Sequence, residues 1–165
     1  MIGIRQAVGV LLLTSAIVGC GKGVVDPDIQ AIEGVVGNIE AFLESRDPSR
    51  VQEFQGLFSR IYQADSNQET LLALQIGLIP RSYDQIQDYV SYLFENYRNI
   101  NVTFGGLDIR KEGDTARVDT TFSMTATPLR PDLYPSISST ARVAIFLRME
   151  EGKWRITMWT FLPPS

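Results

Sequence analysis

The chain of 165 residues contains no histidine. That absence excludes Ser-His-Asp and Cys-His nucleophile sites and any metal centre built on imidazole. Cysteine occurs once, at Cys20, which excludes an internal disulfide and a thiolate cluster. Positive charge is sparse: 15 Lys+Arg stand against 19 Asp+Glu, for a net charge of -4. Only Arg110 and Lys111 are adjacent, so the basic stripe of a nucleic-acid binder is missing. Long apolar runs are missing too. The longest, residues 7–18, is too short to cross the ~30 Å hydrocarbon core of a bilayer. What remains is ordinary globular usage, 44% apolar and 21% charged, in a length that suits one domain.

The first twenty residues read MIGIRQAVGVLLLTSAIVGC. Arg5 gives a positive start, residues 7–18 an apolar middle, and the design is that of a signal peptide. Ile17-Val18-Gly19-Cys20 resembles the bacterial lipobox, with an aliphatic residue three before the cysteine and a small one just before it. The resemblance implies a lipidated Cys20 at the mature N-terminus, and hence a membrane partner. Gly21 stands where that family's inner-membrane retention signal has Asp, so an outer membrane facing the periplasm is the expected address. The expected organisation is a signal peptide over 1–19, a lipidated tether over 20–27 and one domain over 28–165.

Within that domain, Asp28 is the expected N-cap of a helix carrying Ile32, Val36, Ile39 and Leu43 at helical spacing. Asp47-Pro48 restarts a helix whose stripe is Val51, Phe54, Phe58 and Ile61. Ser66-Asn67-Gln68-Glu69 fits a capping box before a short leucine-rich helix that Gly77 ends, with a strand pair as the alternative. Ser82-Tyr83-Asp84-Gln85 opens a longer one, with Ile86, Tyr89, Val90, Leu93 and Tyr97 on one face. Strand alternation follows from Ile100. Gly105-Gly106 shifts its phase, as a bulge does. Lys111 opposite Asp114 would pair Ile109 with Ala116 and Leu107 with Val118. Residues 128–138 hold three prolines and read as a long connection.

The chain closes on a hairpin. Pairing Glu150 with Lys153 sets Met149 against Trp154, Leu147 against Ile156, Ile145 against Met158 and Val143 against Thr160, all on one face. In that register Trp159 shares the opposite face with Arg155 and Phe161. The expected class is α+β, with N-terminal helices on a curved antiparallel sheet of about four strands.

The helix SYDQIQDYVSYLFENY running into INVTFGGLDI, the turn KEGDTARVDTTF and the ending GKWRITMWTF resemble the nuclear-transport-factor-2-like superfamily, also called SnoaL-like or ketosteroid-isomerase-like. That resemblance implies a cystatin-like cone, a sheet wrapped around helices with a hollow end. In some members the hollow is an active site, in others a pocket, and in many it is filled. Isomerase-type members need an acid-base pair there, and Asp65, near Tyr62, is the one carboxylate the layout offers. Aromatic residues Tyr62, Tyr89, Tyr97, Phe122 and Trp154 are candidates to line a pocket, with Asp65, or simply to form the core. Trp159, Phe161 and Tyr134 are candidates for a partner surface, for a homodimer or an envelope protein. No metal ligands, cofactor site or catalytic set stand out. The reading is a membrane-anchored, non-enzymatic binding or assembly module. A carrier of a small hydrophobic ligand comes second and an isomerase third.

Overall fold

Asp26, rather than Asp28, begins the first helix of the computed structural model, which describes residues 26–164. The lipobox-like stretch and most of the tether therefore lie outside the described residues. Asp26 Oδ1 accepts the N–H of Asp28, and Pro27 takes the first helical position, where a missing N–H costs nothing. This helix, α1 (Pro27–Ser45), buries Ile32, Val35, Val36, Ile39, Phe42 and Leu43, and Arg46 ends it with φ 50°. Asp47 and Pro48 restart the chain as expected, through a 3-10 turn (Pro48–Arg50) into α2 (Val51–Gln55).

The second helix is far shorter than its stripe suggests. It ends at Gly56, and Phe58–Ala64 is a strand, β1. Phe58 and Tyr62 are buried by the strand instead, while Ile61, expected in the helix core, is 64% exposed. Then come α3 (Gln68–Gln75), a 3-10 turn (Tyr83–Gln85) and α4 (Ile86–Asn96). Asn67, not Ser66, caps α3 by accepting the N–H of Thr70. Ser82 makes no side-chain cap, and Tyr97, expected on the face of this helix, is extended at φ -129° and ψ 152°.

Four long strands follow: β2 (Tyr97–Glu112), β3 (Thr115–Pro128), β4 (Ile137–Glu150) and β5 (Lys153–Phe161). The α+β class holds, but the curved sheet has five strands, in the order β1-β5-β4-β3-β2, and is mixed because β1 lies parallel to β5. Gly105-Gly106 does break β2, where the register shifts before Asp108 and Gly106 takes φ +67°. Pairing beyond it differs from expectation. Glu112 pairs with Thr115 across a Gly113-Asp114 turn, so Ile109 meets Val118 rather than Ala116, and Lys111 meets Ala116. Leu107 falls in the bulge.

The closing hairpin keeps the expected pairs Glu150–Lys153, Met149–Trp154 and Leu147–Ile156. Thr157 is then a bulge, its hydroxyl donating to the Phe146 carbonyl. One inserted residue exchanges the two faces of a strand. Past it Ile145 pairs with Trp159 and Val143 with Phe161, so both aromatics turn inward. Trp159 is 2% exposed and Phe161 3%. Neither side chain offers a surface to a partner.

The sheet edges are covered. On β2 the N–H of Phe104 donates to Glu40 of α1, and that of Val102 to Glu44 at 3.4 Å. On β1 the N–H of Ala64 donates to the Arg81 carbonyl at 2.8 Å. Such contacts deny a strand edge to other chains.

Candidate functional site

The interior between helices and sheet is filled with aromatic rings at its middle. Phe104 reaches in from β2, Phe122 from β3, and Trp159 and Phe161 from β5. Phe122 lies 5.3 Å from Phe104, 5.6 Å from Trp159 and 6.0 Å from Phe161, measured between ring centroids. Among the described residues the buried polar ones are Ser59, Thr70, Thr120 and Thr160, so no carboxylate sits inside. The indole N–H of Trp159 is buried without an acceptor.

The candidate pocket residues do not converge. Tyr62 and Tyr89 lie in the core, and their hydroxyls donate to the carbonyls of Pro80 at 2.8 Å and Leu78 at 2.9 Å. Burial pushes both phenols well above the ordinary range. These donors are therefore occupied, and what they hold is the segment between α3 and α4. Tyr97 sits at the start of β2 against Tyr92 and Tyr134, at 6.0 and 6.2 Å. Burial, then the Tyr92 hydroxyl, pushes its phenol up to about 12. Trp154 lies at the opposite end of the sheet, its indole N–H donating to Asp28 at 3.1 Å. Asp28 also binds the Lys111 ammonium, which Asp26 approaches as well. The missed cap at Asp26 thus left Asp28 free for a role its position did not announce.

Asp65 is half-buried and already engaged. It accepts the Thr160 hydroxyl at 2.8 Å, the Ser66 N–H at 2.7 Å and the Asn67 amide at 2.9 Å. These bonds, Thr160 first, hold its carboxyl below the usual range. A general base at neutral pH needs the opposite shift. Asp65 pins the start of α3 to the end of β5.

An open groove of about 550 Å³ crosses the outer sheet face instead. Ile61 of β1, Thr157 of β5 and Phe146 of β4 give it an apolar floor, and Arg110, Arg117 and Arg148 stand along it. The Arg117 guanidinium lies over the Phe146 ring, 5.4 Å from its centroid, and is held bidentate by Asp119. Arg148 pairs directly with Arg155 across β4–β5, a like-charge neighbour that disfavours the hairpin. Phe146, an aromatic on the polar phase of its strand, was the signal for this face in the sequence.

Comparisons with known proteins agree with this architecture. A family model described as the SnoaL-like domain matches residues 73–161, more than half of the chain. No curated protein sequence matches the chain significantly. Among solved structures, it is similar to a nuclear transport factor 2-like superfamily protein of Salmonella enterica serovar Typhimurium, at TM-score 0.59 and 16% identity, covering 82% of this chain and 90% of that one. A Nostoc punctiforme protein of unknown function with a cystatin-like fold matches at TM-score 0.57 and 15% identity, over 84% and 92%. A Novosphingobium aromaticivorans protein assigned as a scytalone dehydratase matches at 0.61 and 11%, over 84% and 85%. Identities this low speak for the fold alone.

Proposed function

The chain belongs to the SnoaL-like family, whose fold does not by itself fix a function, and we propose that it is a non-enzymatic binding module of the cell envelope. In this reading Cys20 carries the lipid, and Gly21 favours the periplasmic face of an outer membrane. The observation that carries the non-enzymatic part is the filled interior: Phe104, Phe122 and Trp159 pack there, and the buried polar residues include no carboxylate. The family includes enzymes, but an isomerase-type site needs a carboxylate in an apolar setting, and Asp65 is held ionised outside it.

A carrier of a small hydrophobic ligand is the second reading. The unpaired indole N–H of Trp159 favours it, because a ligand carbonyl would satisfy that donor. Native mass spectrometry of the full chain, released gently from envelopes in detergent and compared with its denatured mass, separates the two. A bare domain is expected. A stoichiometric non-protein adduct would establish the carrier and overturn the first reading.

A further inference from the structure

Arg148 and Arg155 stand directly opposite each other on β4 and β5, on the outer side of the sheet. Like charges in that position disfavour the pairing, and the fold does little to relieve them. Arg148 makes no ion pair among the described residues. The Arg155 Nε is buried without an acceptor. The carboxylates nearest the Arg155 guanidinium stop short of it, Glu150 at 3.9 Å and Glu151 at 3.8 Å. Glu150 is drawn aside by the Ser59 hydroxyl, which donates to its Oε1 at 2.8 Å. The Glu151 side chain is almost fully exposed, so water screens it. A buried guanidinium nitrogen with no acceptor has room for an oxyanion.

Apolar surface adjoins this pair. Arg148 lines the outer groove, and Arg155 stands beside it, two residues before Thr157 of the same lining. The groove takes in residues of all five strands, from Ile61 on β1 to Arg110 on β2. Residues 59–62 of β1 stand opposite Thr157 alone, and Ile61, in that bulge, is the most exposed large apolar side chain described. Phe146 supplies the floor at the centre. Arg110 and Arg117 are already held by Asp108 and Asp119, so they add no free charge. The unpaired cation of the lining is Arg148.

We propose that this groove binds a small monocarboxylate with an apolar tail, its head on Arg148 and Arg155 and its tail on Phe146 and Ile61. Charge selects the head. A carboxylate brings one negative charge to one unpaired guanidinium. A phosphate monoester brings nearly two, and it would meet Glu112 of the lining as well as Glu150. Size selects a small molecule, because 550 Å³ lies within the range of small-ligand sites, about 300–1,000 Å³. Of the large apolar residues that are exposed, only Ile61 lines the groove, too little for the apolar core of a protein interface.

The inference deepens the binding-module reading, and the two fail separately. An interior adduct is seen by native mass, whereas an open groove exchanges a small ligand and reports it only when it is added. The test is titration of the isotope-labelled full chain in detergent with octanoate, read by nuclear magnetic resonance. Saturable shifts are expected at the Arg155 Nε–Hε signal and at the Ile61 and Phe146 amides. Octanol lacks the head and acetate the tail, so each should bind at least about tenfold more weakly. Arg148→Gln should weaken octanoate about tenfold through loss of a charged hydrogen bond, with the circular dichroism unchanged. Arg142→Gln, on the same strand and face but outside the groove, should leave the affinity as it was. No shift at Arg155, equal binding of octanol or acetate, an affinity indifferent to Arg148→Gln or equally reduced by Arg142→Gln, or shifts gathered instead at Phe122 and Trp159 would each overturn the proposal.

Discussion

Trp159 on β5 and Phe104 on β2 are in contact, with ring centroids 5.7 Å apart, although β4 and β3 lie between their strands. In a flat sheet those strands would be about 14 Å apart. The sheet has curled until its inner aromatics meet across the interior. Trp159→Ala should therefore cost about 3–5 kcal/mol, the usual range for a buried aromatic. Urea unfolding followed by far-UV circular dichroism reads this. Sedimentation should show no change in association, and a shift there at unaltered stability would refute the buried placement.

Tyr62→Phe and Tyr89→Phe should each lower stability by about 1–3 kcal/mol, because each strands a buried main-chain carbonyl in the 78–80 segment. Limited proteolysis should cut that segment faster in both variants. Loss of a ligand with no loss of stability would make the hydroxyls binding groups instead.

The Asp28–Lys111 pair sets a pH dependence at both ends. The Lys111 ammonium, then the Trp154 N–H, holds the Asp28 carboxyl below its ordinary 3.8. A depressed carboxyl adds stability that is present above 3.8 and lost as pH falls through the lower folded value. Lys111 is raised above 10.5, chiefly by Asp28, so its share is present below 10.5 and lost as pH rises through the higher folded value. Asp28→Asn should flatten both limbs of a stability-against-pH curve. An unchanged acid limb would assign it to Asp65 and Asp47, which are also depressed.

Glu40→Ala should cost about 1.5–3 kcal/mol, the range for a hydrogen bond to a charged group, since the Phe104 N–H loses its acceptor. Hydrogen exchange at the Phe104 amide should accelerate. Equal protection in wild type and variant would mean the edge is guarded by other contacts.

Cys20→Ser should move the protein from the membrane to the soluble fraction. Retention in the membrane fraction would end the anchor proposal.

Much of the fold was legible because periodicity and turn chemistry agreed locally. Asp47-Pro48 restarted the chain as written, Gly105-Gly106 broke β2, and the Glu150–Lys153 turn set the hairpin correctly for its first pairs. What failed depended on distant partners. Val51, Phe54, Phe58 and Ile61 fit a helix, yet Phe58–Ala64 is claimed by β5 about a hundred residues later, and tertiary pairing overrides local pattern. The Thr157 bulge has no local signature, being one residue in an unbroken alternation, and it alone moved Trp159 and Phe161 from the surface to the core. The candidate site was legible as a set of aromatics but not as a place, because Tyr97 and Trp154 lie at opposite ends of the sheet.

The parallel pairing of β1 with β5 also orders events in time. The first strand made by the ribosome waits for the last as its sheet neighbour. Closing a loop of about 90 residues costs about 4 kcal/mol before that contact gives anything back. Folding should therefore be slow and all-or-none, with contacts far apart in sequence. The sheet of a nascent chain therefore stays one neighbour short at β1 until β5 has been made.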